Sequence, residues 1–184
     1  GASPYLRKGY RVSQLNTMAT RYAAELEAAL VTQKLFHNGD PNKIENFIAG
    51  FQEKFVADNG FSEFADSEVA EFFGINANKA NEVFRTSWRE KHVAYQKEQN
   101  YLQFERDTAA VTTLLFREDM TDTEQAVAME QLKDWIETQA KERSLDGMNN
   151  TRVTETIITG VSLAAELAGD ADILDVLKET KLGT

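Results

Sequence analysis

The chain has 184 residues, 42% of them hydrophobic and 27% charged, with two prolines, no cysteine and a formal net charge of −10. Without cysteine there is no disulfide, thiolate zinc site, iron–sulfur cluster or cysteine nucleophile. Thirty acidic against twenty basic side chains argue against a nucleic-acid reader, whose affinity comes from Lys and Arg displacing counterions.

No apolar run approaches the ~20 residues of a membrane-spanning helix. The start, Gly1-Ala2-Ser3-Pro4, has neither an initiator Met nor the apolar core of a signal peptide, so a soluble chain cut from something longer is expected. Residues 1–11 carry three basic groups and no acid, and 1–12 reads as a flexible basic segment.

Glycine, with Asp or Asn within two residues, marks turns at His37–Pro41, Asp58–Gly60, Gly74, Asp146-Gly147 and Gly169-Asp170, the punctuation of helices joined by short turns. A first helix is expected from about Ser13 to Phe36, since Leu15, Met18, Tyr22, Leu26 and Leu30 recur at three- and four-residue steps. Asp40 caps a second helix with Pro41 at its first position, where the missing N–H costs nothing, and Ile44, Phe47, Ile48, Phe51 and Phe55 form its apolar face. A short helix over about Asp66–Phe73 ends at Gly74.

Between Gly74 and Gly147 lie 72 residues without glycine or proline. A helix over Asn76–Phe116 would be ~60 Å long at 1.5 Å per residue, more than the ~40 Å of a sphere of this chain length, which predicts an elongated molecule. Thr121 and Glu124 form a Thr-x-x-Glu capping box. It opens a helix of about 22 residues that faces Met129, Leu132, Trp135, Ile136 and Ala140 one way. The short turn before it predicts an antiparallel hairpin whose longer arm overhangs the other. A last helix pair is expected over Thr151–Ala168 and Ala171 to about Thr180. The fold class is therefore all-α: an elongated bundle of six to seven helices built on that hairpin. It is read as a single domain over 13–184, with a Phe-rich part (13–74), the hairpin (75–146) and the C-terminal pair (147–184).

Motifs for chemistry are sparse. His37 and His92 are far apart in sequence and share no ligand pattern, and no His-Glu-x-x-His, Gly-rich phosphate loop or Gly-x-Ser-x-Gly occurs. A carboxylate pair such as Glu63 and Glu71 could serve glycoside hydrolysis of a cell wall if ~5–10 Å apart, but among thirty acids chance pairs are expected. Asp170, Asp172 and Asp175 lack the central Gly and final Glu of a calcium loop and read as helix caps. No catalytic, metal or cofactor residue is assigned.

Nine of eleven Phe fall between Phe36 and Phe84. A Phe-rich core is the simplest reading; the alternative is a partner-docking surface at Phe61, Phe64, Phe72 and Phe73. Residues 117–147 carry nine acids against four bases, whereas 76–116 are nearly neutral.

Gly74-Ile-Asn-Ala-Asn-Lys-Ala-Asn-Glu-Val-Phe84, continuing through Arg89–Tyr101, resembles helical segments of the large internal virion (core) proteins of short-tailed bacteriophages. The stretch from Arg152 through Gly169-Asp170 to Ile173–Lys178 and Lys181–Thr184 is similar to a helix pair of the same family. About half the chain is covered. The resemblance implies a helical structural protein made in the bacterial cytoplasm, carried in the virion interior and ejected with the genome to build a conduit, with itself or other virion proteins as partners. It implies no catalytic residue or cofactor. This chain is far shorter than the family's proteins, as a fragment or single domain would be.

Overall fold

The computed structural model describes residues 3–145 and 147–180, so Asp146 and the Lys181–Thr184 part of the resemblance lie outside the described residues. All regular structure among the described residues is helical, as the periodicity and the turn chemistry predict. The helices are α1 (Pro4–Thr32), α2 (Pro41–Asp58), α3 (Asp66–Val69), α4 (Ile75–Leu115), α5 (Asp122–Leu145), α6 (Asn150–Ala168) and α7 (Val176–Glu179). Three 3₁₀ turns intervene at Leu35–His37, Phe61–Glu63 and Ala171–Asp175, and a π turn at Ala70–Gly74 joins α3 to α4.

Cα packing divides the chain into two compact units, Gly1–Gln96 and Lys97–Thr184, where the sequence reading drew a single domain. The boundary falls inside α4, and its cause is local. Gln96-Lys-Glu-Gln-Asn100 is polar and wholly exposed, so neither hydrophobic core extends across it.

In the first unit, α1 starts well before the expected Ser13. Ser3 accepts a hydrogen bond from the Leu6 amide with Pro4 at the first helical position, so the segment read as flexible is helical from Pro4 onward. The helix stops before Phe36 because Lys34 adopts φ 51°. Asn38 and Asp40 then close the turn, Asn38 Oδ1 accepting from the Asp40 amide and Asp40 Oδ1 from the Asn42 amide. Leu15, Ala19, Tyr22, Leu26 and Leu30 of α1 pack with Ile44, Ile48 and Phe55 of α2 and with Phe73, Ala77, Phe84 and Trp88. Gly74 does not end a helix. The backbone widens into the π turn, against which α1 packs, and Asn76 Nδ2 donates to the Phe72 carbonyl that the wider turn leaves available.

In the second unit, the Lys97–Leu115 part of α4 and α5 run antiparallel: Leu115 and Ala128 line one depression at one end, and Phe104 meets Trp135 and Arg143 further along. The capping box forms, with Thr121 Oγ1 accepting from the Glu124 amide at 3.1 Å and Glu124 Oε1 from the Thr121 amide at 3.3 Å. Leu132 and Ile136 of α5 pack with Phe104 and with Val153, Ile157, Val161 and Ala165 of α6, closed below by Ile173 and Val176. Helix α6 lies close against α4 because residue 160 is glycine: a Cβ there would stand 2.8 Å from both the Glu105 carbonyl oxygen and Thr108 Cβ. Gly169, at φ 65°, ends α6, and the Asp170 amide reaches back to the Ala165 carbonyl, a Schellman closure. Asp170 then accepts from the Asp172 amide at 3.0 Å, the capping role expected of it.

Candidate functional site

Of the four rings expected to offer a partner surface, Phe61 and Phe73 are core residues, 5% and 1% exposed, which corrects that expectation for both. They pack edge to face, 4.6 Å between centroids, and Phe73 lies parallel to Phe55 at 5.9 Å. Phe73 lies in the π turn that continues the short helix into α4, and Phe61 on the 3₁₀ turn before that helix, and both rings turn inward onto Phe55. Phe64 and Phe72 are half-buried against the same cluster.

The two histidines, distant in sequence, converge on Tyr95. His37 stacks on its ring at 4.1 Å, and His92 lies 6.5 Å from it. His92 Nδ1–H donates to the Phe36 carbonyl at 2.8 Å and Trp88 Nε1–H to the Asn38 carbonyl at 2.9 Å. Trp88 and His92 thus hold the α1–α2 connection through its backbone, and Tyr95, a turn further along α4, through the Phe36 and His37 rings. Gly39 belongs to this clamp, since a Cβ there would come within 2.5 Å of His92 Nε2. The spacing 88-92-95 was visible in the sequence, but not what it grips.

Electrostatic perturbation occurs at packing contacts in the first unit. Burial pushes the Tyr22 phenol up to about 12, opposed by its hydrogen bond to Asn81 and by the nearby Arg85 charge. The Arg85 guanidinium makes a two-pronged contact with Glu45, Nε–Oε1 2.6 Å and Nη2–Oε2 2.9 Å, and also meets Glu82. That hydrogen bond holds the Glu45 carboxyl below its ordinary range and raises Arg85. Glu63 sits on a 3₁₀ turn and Glu71 on the π turn, both exposed. Among the described residues no group of three His, Asp or Glu side chains is placed to hold a metal ion, and no helix is long and apolar enough to cross a membrane.

Both units carry concave surfaces. In the first unit a groove of about 450 Å³ has Phe47, Phe51 and Phe55 on its floor, Glu25 and Asp58 at its edges and Gly50 in its wall. In the second unit the 116–121 turn stands between two depressions, braced by the Arg117 amide on Met120 Sδ at 3.2 Å. One, of about 770 Å³, is lined by Phe116, Met120, Leu167 and Ile173 with Glu118, Asp119 and Asp170 among its polar groups. The other, of about 490 Å³, is lined by Leu114, Met120 and Val127. Leu167 and Leu114 are 77% and 75% exposed, unusual for leucines beside an apolar cleft. Sequence periodicity missed this site because each leucine lies off the core stripe of its own helix, and only the tertiary arrangement gathers them around one turn. No family model matches the chain, and no curated protein or solved structure matches it either.

Proposed function

We propose that this chain is a non-enzymatic structural domain of a virion protein of a short-tailed bacteriophage, working by assembly in the virion interior and in the conduit through which the genome leaves. Two kinds of support meet. The passages that resemble internal virion proteins supply the π-joined start of α4, His92 and Tyr95 of the clamp, and α6 from Arg152 on. The observation that carries the reading is the gathering of exposed leucines and valine at the 116–121 turn, an apolar surface suited to a protein partner. Native mass spectrometry and light scattering at rising protein concentration test it: concentration-dependent oligomers are expected, and a chain that stays monomeric at high concentration removes the reading.

An adaptor that takes up a partner helix is the second reading, favoured by the groove over Phe47, Phe51 and Phe55. Gly50 faces open space there, with no atom within 4 Å of where its Cβ would be, so nothing in the fold requires glycine at that wall. Gly50→Leu should abolish capture of a partner helix while leaving the melting temperature unchanged or higher; unaltered binding removes this reading.

A further inference from the structure

We infer that copies of this chain join head to tail, the N-terminal turns of α1 from one copy entering the apolar, acid-rimmed cleft beside the 116–121 turn of the next. The inference rests on the assembly reading and assigns its surfaces.

The first surface is the start of α1. Every residue from Ser3 to Gly9 is exposed, and Tyr5, Leu6 and Tyr10 are 86%, 64% and 67% exposed. At 100° per residue Tyr5, Gly9, Leu6 and Tyr10 cover one arc, and Arg7, Lys8 and Arg11 the opposite one. Arg11 pairs with Glu68 at 3.2 Å, while Arg7 and Lys8 have no ion-pair partner among the described residues. A helix end bare on every side gains nothing from tertiary burial, which is what ordinarily sustains a helix, and it carries three large apolar side chains into solvent. A covering partner would supply that burial.

The second surface is complementary in both properties. The cleft of about 770 Å³ has Phe116, Met120, Leu167 and Ile173 for the apolar arc, and Glu118 and Asp119 beside Asp170 for the basic one. Arg117 is its single opposing charge, leaving the rim net negative. Residues 1–11 hold three bases and no acid, whereas 117–147 hold nine acids and four bases, so attraction between unlike segments of two copies acts at a distance as well as in contact. Because the end and the cleft are different surfaces, a pair joined this way keeps one end and one cleft vacant. Such a heterologous contact closes into a ring or continues as a filament.

Complementation between two variants of the full chain tests this. The first, Tyr5→Ser with Tyr10→Ser, removes the end; the second, Glu118→Lys with Leu167→Lys, spoils the cleft. All four positions are exposed, and Arg7→Glu with Lys8→Glu provides an independent end variant. Analytical ultracentrifugation should find each variant alone weakened in self-association at least about tenfold. An equimolar mixture of an end variant and the cleft variant should form dimers that grow no further, since only one intact end and one intact cleft remain. Variants that assemble like the wild type overturn the docking while leaving the assembly reading in place; a monomeric wild type overturns both. A mixture that grows past two or does not associate overturns the head-to-tail geometry, and binding of the wild type to anionic vesicles without self-association assigns the helix end to lipid instead.

Discussion

The Tyr22 hydroxyl donates a 2.5 Å hydrogen bond to Asn81 Oδ1, and Asn81 Nδ2 donates in turn to Gln52 Oε1 at 3.0 Å. Three helices, α1, α4 and α2, are thus tied by one polar chain inside a Phe-lined core, where Phe51, Phe55 and Phe73 all pack on the Tyr22 ring. An apolar core specifies volume, whereas this chain also fixes the rotation of each helix, because a buried amide without partners would cost more than the bond contributes.

Tyr22→Phe keeps the ring and leaves Asn81 Oδ1 without its donor, so a loss of ~1–3 kcal/mol at pH 7 is expected in urea unfolding. The pH dependence has a definite sign. Burial raises the folded phenol to about 12 from its ordinary 10.0, so its contribution is whole below about pH 10 and falls away as pH climbs toward 12, because the unfolded chain releases the proton first. The stability gap between wild type and Tyr22→Phe should therefore narrow above pH 10. A gap that stays constant to pH 12 would show that the phenol titrates normally.

Glu45→Gln probes the pair that ties α2 to α4 on the surface. Glu45 is half exposed, so the loss at pH 7 should stay below ~1 kcal/mol and vanish in ~1 M salt. Since Arg85 lowers the carboxyl's folded pKa, the contribution is present above the ordinary carboxylate pKa and disappears as pH falls through the folded one. Acid unfolding curves of wild type and Glu45→Gln should accordingly converge at low pH.

Gly50→Ala should stabilise the first unit. The residue lies inside α2 with nothing near its missing Cβ, so alanine brings helix propensity with no clash, ~0.5–1 kcal/mol. A raised melting temperature is the expected outcome. A lowered one would mean that the open wall is not sterically free.

These features differ in how far the sequence revealed them. The caps at Asp40, Thr121 and Asp170 were readable because a cap needs only neighbours a few residues away, and so were the core stripes of α1, α2 and α5. Ser3-Pro4 was an equally local signal, overlooked because the apolar core stripe begins only at Leu15. Gly74 misled because glycine punctuates a helix only when its φ turns positive, as it does at Gly60, Gly147 and Gly169. Phe61 and Phe73 were misplaced because ring density alone does not say which way a ring points; the 3₁₀ turn at Phe61–Glu63 and the π turn decide that. The convergence of His37 and His92 on Tyr95, like the cleft around Leu167, arises from residues that only the tertiary fold brings together.

Gly160→Ala is the sharpest test of the second unit. The new Cβ would lie 2.8 Å from the Glu105 carbonyl oxygen and 2.8 Å from Thr108 Cβ, neither of them the flexible tip of a side chain. Thr108 cannot swing aside cheaply, because it is fully buried and its hydroxyl is spent on the Phe104 carbonyl at 2.8 Å; Thr112 repeats the arrangement one turn later on the Thr108 carbonyl at 2.7 Å. Relief would have to come from moving α6 away from α4, which would open the packing of Val153, Ile157 and Val161. Overpacking of this kind costs ~1–3 kcal/mol, more than the helix propensity that alanine contributes. Hydrogen exchange should show the loss as faster exchange in α6 and in Lys97–Leu115 of α4, with α1 and α2 unaffected, since Leu15–Phe55 pack into a separate cluster. Unchanged or slower exchange in α6 would mean that the two helices approach less closely than 2.8 Å implies.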